Sequence, residues 1–365
     1  MVGGGIAGAT ATIALEQSGI SVLWIRPEWQ CDSHKAGESL APAANPILSS
    51  LGLSFILENN HHRHANATFS AWGQEALVER NSAVHLEGPG NIIDRVKFEE
   101  DLFRIANESS AIVIEDKLQS IAEEEGLWQL TSKSGTVATA RFIIDASGRS
   151  QVVGRHCKKA GGERALSETD DHLVAAYAFI RQKENTNVIA TPATIIESVE
   201  NGWWYASLLP SGYLTVNFYS DPDIMPKRIT TDLSCWLQLI QHTHQIAHWI
   251  EDAEFIVDSP PKLASAATRW LTPAAGINQE AGWAAIGDAA VAFDPLSAHG
   301  MTTALWAAVR APDFVKAYLA GDNQPLKNYS DSVEEGRQHY IEQRSNMYSQ
   351  EKRFQDYEFW ARRKR

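Results

Sequence analysis

Cysteine is scarce in this chain, and what there is cannot staple a fold. Cys31, Cys157 and Cys235 are odd in number and far apart, and none belongs to a CxxC pair. They fit reduced thiols in a cytosol and not a disulfide framework. Long apolar runs are missing too. No stretch reaches the length of a bilayer span, and the first thirty residues lack a basic segment ahead of an apolar core, so neither membrane insertion nor a secretory leader is expected and the cytoplasm is the expected compartment. Positive charge is in deficit: 32 Lys and Arg against 45 Asp and Glu leave a formal net charge of −13. That excludes the clustered cations a nucleic-acid surface needs, and the one basic cluster, Arg362-Arg363-Lys364-Arg365, reads as a solvated end. Metal-ligand spacing is absent as well. His61, His62 and His64 are neighbours that point to different faces, and His244 and His248 share a helix face without a third ligand, so no metal site is expected.

What is present describes an ordinary globular protein: 365 residues, 44% hydrophobic and 21% charged, long enough that two lobes are expected around separate cores. Gly3-x-Gly5-x-x-Gly8 opens an Ala-rich helical run to Gln17, and an apolar stretch to Ile25 follows. That is the βαβ setting in which such a motif brings backbone and helix N-terminus up to a pyrophosphate. Two departures stand out. The first strand is cut to Met1-Val2, which leaves an upstream start or a weakly held edge as the readings. At the end of the second strand Arg26 replaces the acid that would take ribose hydroxyls, with Glu28 displaced nearby.

The densest signal lies between Gly282 and Leu305. An apolar run, Trp283 to Ile286, stops at Gly287-Asp288, whose small residue and carboxylate suit a turn close to a polar ligand. Pro295 bends the chain. Gly300 then opens a helical segment, Met301 to Val309 with Thr302 in its first turn, that meets no breaker until Pro312. A helix starting at Gly300 aims free N–H groups and the positive end of its dipole at whatever precedes it, where His299 stands ready to donate or relay a proton.

Three further segments carry polar residues at element ends. Gly37-Glu38-Ser39-Leu40-Ala41-Pro42 reads from its residues as a helix start, with Ser39 as N-cap and Pro42 in the first turn. Asp94-Arg95 precedes a helix whose apolar positions are Phe98, Leu102, Ile105 and Ala106, so Asp94 reads as a cap, and the fork of Arg95 suits a phosphate. In Phe142-Ile143-Ile144-Asp145-Ala146-Ser147-Gly148-Arg149 a buried parallel strand ends at Asp145, the end where open α/β sheets bind ligands. No second GxGxxG follows a strand, and Gly161-Gly162 lies in polar coil, so a separate NAD(P) domain is not expected. From Asp171 to Arg269 the pattern turns to alternating strands, with a helix around Leu233 to Ile250. There Trp203, Trp204 and Tyr205 form an aromatic wall suited to stacking. A polar helical segment begins near Gln324.

These segments together resemble FAD-dependent monooxygenases and halogenases: the Gly-Asp turn, Gly-Glu-Ser, Asp-Arg-x-x-Phe, Asp-Ala-x-Gly-Arg, the Gly202-Trp203 to Pro210 strand and the ending Arg353-Phe354 to Arg362-Arg363. The ending is similar to that of halogenase-like flavoproteins which mature quinocofactor (cysteine tryptophylquinone) oxidases. The resemblance implies an α/β chain with a Rossmann-like FAD-binding domain (1–60, 90–165 and 272–320), an antiparallel-sheet substrate domain (61–89 and 166–271) and a helical C-terminal segment (321–365). It implies FAD held by Gly3, Gly5, Gly8, Arg26, Glu38, Ser39, Arg95, Asp145, Gly148, Gly287, Asp288, Pro295, Gly300, Met301 and Thr302, with His299, Trp203, Trp204 and Tyr205 at the reacting centre. The implied chemistry is oxygen transfer to an electron-rich ring, using oxygen and an external reductant or NAD(P)H. Halogenation is not expected, because Ala67-Thr68-Phe69 is followed by Ser70 where flavin halogenases carry a lysine. The substrate expected is a tryptophan side chain in the precursor of a quinocofactor oxidase. The alternatives are hydroxylation of a free small aromatic, a flavoreductase of the geranylgeranyl reductase type, and FAD binding without turnover.

Overall fold

Short apolar runs build the first sheet. In the computed structural model, which describes residues 1–29, 34–65, 67–81, 87–157 and 164–364, Leu23–Arg26 pairs in parallel with Ile112–Glu115, and Phe142–Asp145 with Ala281–Ala285. Ala275–Asn278 adds an antiparallel edge. The two parallel pairs are joined by one residue, Val2, which bridges Ile25 and Asp145. The shortened first strand is therefore no edge. Val2 N–H donates to Ile144 O at 2.9 Å, Gly3 N–H to Ile25 O at 2.9 Å, and Ala146 N–H to Val2 O at 2.7 Å, so ladder bonds on both sides hold it in the middle of the sheet.

Side chains alternate across that sheet as a strand buried on both faces requires. Trp24, Ile144 and Ala284 pack with helices Ile6–Gln17, Arg95–Asn107 and Gly300–Leu319, while Ile25, Ile143, Trp283 and Ala285 pack with Trp128 and Leu130. The latter two belong to a three-stranded meander, Leu118–Glu124, Leu127–Ser132 and Val137–Ala140, tied down by Trp128 Nε1 donating to Gly282 O at 2.7 Å. The Gly300 helix does not stop at Pro312. It runs on to Leu319 with Ala311, Pro312, Phe314 and Val315 buried, so packing outweighs the lost N–H.

The second lobe is a large sheet in the order Phe255–Ile256, Val174–Gln182, Leu214–Ser220, Gly202–Leu208, Thr194–Val199, Ala67–Ala71, Val78–Asn81. In place of one helix over 233–250 there are two, Leu233–Gln241 and Gln245–Asp252. The break is fixed by the buried Glu197 carboxylate, which accepts from the N–H groups of His244 (2.6 Å), Gln245 (3.0 Å) and Ile246 (3.0 Å) and so starts a new helix there. The stretch 61–89 is divided between lobes: His62–His64 pairs with Asn91–Ile93, whereas Ala67–Ala71 joins the large sheet. Ser39 is no N-cap, because Ser39–Leu40 is a strand beside Asn91–Ile93 and the helix begins later, at Ala44.

A long helix, Gln324–Ser349, crosses both lobes and leads to the short helix Glu358–Ala361. The basic end is anchored through its first two arginines, while Lys364 stays exposed. Arg362 reaches Asp221 (2.9 Å) and Asp223 (2.6 Å), and Arg363 is buried against Asp221 (2.6 Å) with its guanidinium 3.8 Å from the Phe359 ring centroid. Cys157 and Cys235 are free thiols; Cys31, Gly161-Gly162 and Arg365 lie outside the described residues. Among the described residues no helix is long and apolar enough to cross a membrane.

Candidate active site

The glycine turn after Val2 shapes one end of a cavity of about 300 Å³ that lies between the lobes. Gly3 and Gly8 act inside the turn and do not line the cavity. Gly3 has φ +120°, and a Cβ on Gly8 would sit 2.1 Å from Gly3 O. Gly5 differs: it lines the cavity, and a Cβ there would meet no protein atom within 4 Å. The space before it is kept for something else. The N–H groups of the first turn of Ile6–Gln17 point toward that space without intrahelical acceptors, which suits an anion.

Four charged side chains ring this end. Arg95, just past the Asp94 cap that accepts from Val96 and Lys97 N–H, donates to Glu99 Oε1 (2.6 Å) and Gly37 O (3.1 Å). Lys35 Nζ meets the other Glu99 oxygen at 2.6 Å, and the two cations hold that buried carboxyl below its usual range despite the opposing effect of burial. Gly148, with φ +66°, lines the opposite wall beside Arg149. Asp145, one strand end away, does not reach the cavity. Its carboxylate accepts from Ser147 N–H (2.9 Å), Ser147 Oγ (2.5 Å), Val153 N–H (2.9 Å) and Gly154 N–H (2.7 Å), so it organises the turn that presents Gly148 and Arg149.

Gly287 and Asp288 form a single turn after the Ala281–Ala285 strand. Gly287 adopts φ +58°, and its Cβ would crowd Ala7 Cβ at 2.9 Å and Ala304 Cβ at 3.3 Å, so a glycine lets the first helix and the Gly300 helix close on the turn. Asp288 faces the cavity, 3.5 Å from Arg149 Nε. Burial raises its pKa, and Arg149 and then Arg95 oppose that rise.

At the other end Glu38, Ser39, Trp203, Tyr205, Pro295, His299, Gly300 and Met301 converge. His299 is exposed at the helix start and makes no side-chain cap; its ring Nδ1 is held by Ser297 O. Glu38 is buried, and burial pushes its carboxyl up; Tyr205, whose Oη is also buried, is raised by burial and then by the Glu38 charge. Thr302 is buried behind the lining with an unpartnered Oγ1.

Besides Asp145, two more expected residues are directed elsewhere. Trp204 projects from the face of the sheet opposite Trp203 and packs on Phe218 (4.8 Å) and Trp236 (4.9 Å), because the pleat sends neighbours to opposite sides. Arg26 turns away from the cavity to Glu115 (2.7 Å) and lies 4.0 Å over the Phe103 ring. Sequence reasoning missed Arg149, Asn217, Tyr219 and Asp294. Arg149 stands inside the quoted Gly-Arg segment. Asn217 and Tyr219 register opposite Tyr205 and Trp203, so strand alternation was the signal available. Tyr219 stacks on Trp203 at 4.0 Å, Trp203 Nε1 donates to Tyr348 Oη (3.0 Å), and Tyr348 Oη donates to the buried Asp294 (2.7 Å).

A Gly-rich turn under a parallel sheet, a second turn bearing a carboxylate, a helix N-terminus at the far end and an aromatic wall from a second lobe define a two-lobed flavin-binding protein. The residues fit FAD: room before Gly5 for a pyrophosphate, Asp288 as acceptor for ribityl hydroxyls, and free N–H groups at Gly300 for the flavin ring. Comparison with known proteins agrees. Residues 79–364 match the family model described as tryptophan halogenase, and the chain belongs to that family of FAD-dependent flavoproteins. It is 27% identical over 372 residues to LodB of Marinomonas mediterranea, described as an FAD-dependent oxidoreductase, with 100% of this chain and 95% of that one covered. Among solved structures it shares its fold with QhpG, a peptidyl tryptophan dihydroxylase essential for tryptophylquinone cofactor biogenesis (TM-score 0.76, 20% identity, 99% of this chain and 77% of that one). It shares it also with the myxobacterial chondrochloren halogenase CndH (TM-score 0.83, 21% identity, 100% and 85%).

Proposed function

We propose that the protein is an FAD-dependent monooxygenase that hydroxylates a tryptophan side chain in a partner polypeptide during biogenesis of a quinone cofactor. The observation that carries the choice against halogenation is the state of the amines. Lys35 is the one lysine among the described residues lining the cavity, and its Nζ is held by Glu99 at 2.6 Å. The position after Ala67-Thr68-Phe69 is Ser70, a strand residue paired with Ile196 and Val78, and a hydroxyl does not carry an active halogen as an amine does. The similarity to a peptidyl tryptophan dihydroxylase supports the substrate class.

Reduced FAD would supply the two electrons that, with O₂ and two protons, place one oxygen atom on the ring and release the other as water. The chain's own part is placement and electrostatics. The free N–H groups at Gly300 would favour negative charge on a flavin ring held at this end of the cavity. His299, exposed at the same helix start, would exchange a proton with solvent there, and Trp203 and Tyr205 would exclude water from one side.

The test is to give the FAD-loaded protein a reductant, oxygen and bromide together with the unmodified precursor of a quinocofactor oxidase, and in parallel free tryptophan, and to weigh the products. Oxygen addition to the polypeptide is expected. Brominated indole, or oxygen on free tryptophan with none on the polypeptide, overturns the reading.

A further inference from the structure

A second, larger cavity adjoins the first. It measures about 650 Å³, within the roughly 300–1,000 Å³ usual for small-ligand sites, and lies between helices Gly300–Leu319 and Gln324–Ser349. Phe293 and His299 belong to the walls of both cavities. An occupant of the larger one therefore shares these two side chains with the flavin end of the smaller one. Apart from Gly287, none of the residues expected to hold FAD lines this space.

Its chemistry is specific. Phe293, Leu296, Trp306, Tyr329, Tyr340 and Met347 give it apolar and aromatic walls. Among the described residues no aspartate, glutamate or lysine lines it. Its one arginine, Arg344, is already engaged by Asp170, by Asp171 (2.7 Å) and by Thr268 (2.9 Å). A free amino acid brought here would find no carboxylate for its ammonium and no unengaged arginine or lysine for its carboxylate among the described residues, whereas an indole whose backbone is blocked in a chain brings no charge at all. The rim is exposed and polar. Ser332, Gly336, His339 and Gln343 recur along one face of the long helix, with Gln343 Nε2 and His339 Nε2 paired at 2.7 Å.

Gly336 is the independent sign. It sits in the interior of a 26-residue helix, where glycine weakens the element relative to alanine. Its backbone is plain helix, so no positive φ calls for it. A Cβ there would meet no protein atom within 4 Å, so no close neighbour within the protein calls for it either. A side chain at 336 would project into the open space at the exposed mouth of the cavity.

We infer that this cavity is the substrate subsite, and that it takes the neutral indole side chain of a polypeptide and selects against the free amino acid, with Gly336 as the residue that keeps its mouth open. The inference rests on the proposed function and moves the aromatic slot from the Trp203 wall to the helix pair. It also names the discrimination between substrates.

The experiment is calorimetric titration of the FAD-loaded protein with acetyl-Gly-Trp-Gly-amide and with free tryptophan, on the wild type, Gly336→Ala and Gly336→Leu. The blocked peptide should bind at least tenfold more tightly than free tryptophan. Gly336→Leu should lose at least tenfold in peptide affinity while FAD content holds and the melting temperature does not fall, since leucine and alanine both suit a helix interior better than glycine, and Gly336→Ala should bind the peptide with an affinity between those of the wild type and Gly336→Leu. Equal peptide binding by wild type and Gly336→Leu, free tryptophan bound as tightly as peptide, or no peptide binding at all would overturn the assignment. Peptide bound as expected but not hydroxylated in the turnover assay would sink the proposed reaction and leave the subsite standing. Hydroxylation by Gly336→Leu with unchanged KM would do the reverse.

Discussion

Asp288 and Arg26 both occupy positions where a flavoprotein expects a contact with the cofactor, and their neighbours set them apart. Asp288 ends a turn that the Gly287 geometry fixes, faces the cavity and has Arg149 as its ion partner at 3.5 Å. Replacing it by alanine removes the acceptor for the ligand's hydroxyls. Asp288→Ala should therefore weaken FAD binding by about 1–3 kcal/mol, or roughly 5- to 150-fold in Kd, read by flavin fluorescence during titration of the apoprotein. An unchanged Kd would count heavily against the site. Arg26 was readable as an anomaly, and its direction was not. Its partner Glu115 lies on another strand, 89 residues on, so the sequence shows the missing ribose acid and hides the ion pair that replaces it. A glutamate at 26 would face Glu115 on the neighbouring strand, so it would lose the ion pair and set two carboxylates together.

Elements were legible where one periodicity dominates. The Gly-rich turn and its helix, the strand before Asp145 and the Gly300 helix start all stand where local pattern puts them. The misses are long-range. Trp203, Trp204 and Tyr205 read as one wall by density, yet the pleat gives two of them to the cavity and one to the core under the paired helices. The tail misled for the same reason, since its acidic partners Asp221 and Asp223 sit in a turn beyond the Leu214–Ser220 strand. Arg363 and Asp221 have side chains only 8% and 6% exposed, so deleting one leaves a buried charge short of a partner. Arg363→Ala should cost about 3 kcal/mol in urea unfolding, the low end for a broken buried pair because Arg362 still reaches Asp221 at 2.9 Å. Lys364→Ala, which loses only an exposed contact with Asp356 at 3.6 Å, should stay within about 0.5 kcal/mol. Equal effects of the two would show the tail to be a solvated end after all.

At the scale of the molecule the cofactor cavity is a joint. Gly5, Arg95 and Asp288 come from the parallel-sheet lobe, while Trp203, Tyr205, Asn217 and Tyr219 come from the large sheet, and the long C-terminal helix reaches the same place through Tyr348 and Asp294. Two lobes were expected from length and pattern. Their seam was not, because it depends on strands such as His62–His64 and Leu166–Thr169 that pair across sequence gaps no local pattern records. A ligand seated in such a seam binds the assembled pair and not either lobe opened away from the other. FAD at a hundredfold excess over its Kd should accordingly stabilise the fold by about 2.7 kcal/mol. Calorimetric scans should show the melting temperature rising with FAD concentration, with both lobes unfolding in one transition when FAD is saturating. Asp288→Ala should shift that dependence to higher FAD in proportion to its weaker Kd and leave the apoprotein's melting point nearly where it was. A melting temperature indifferent to FAD, or a saturated protein whose lobes still melt separately, would mean that the cavity does not join them through the cofactor.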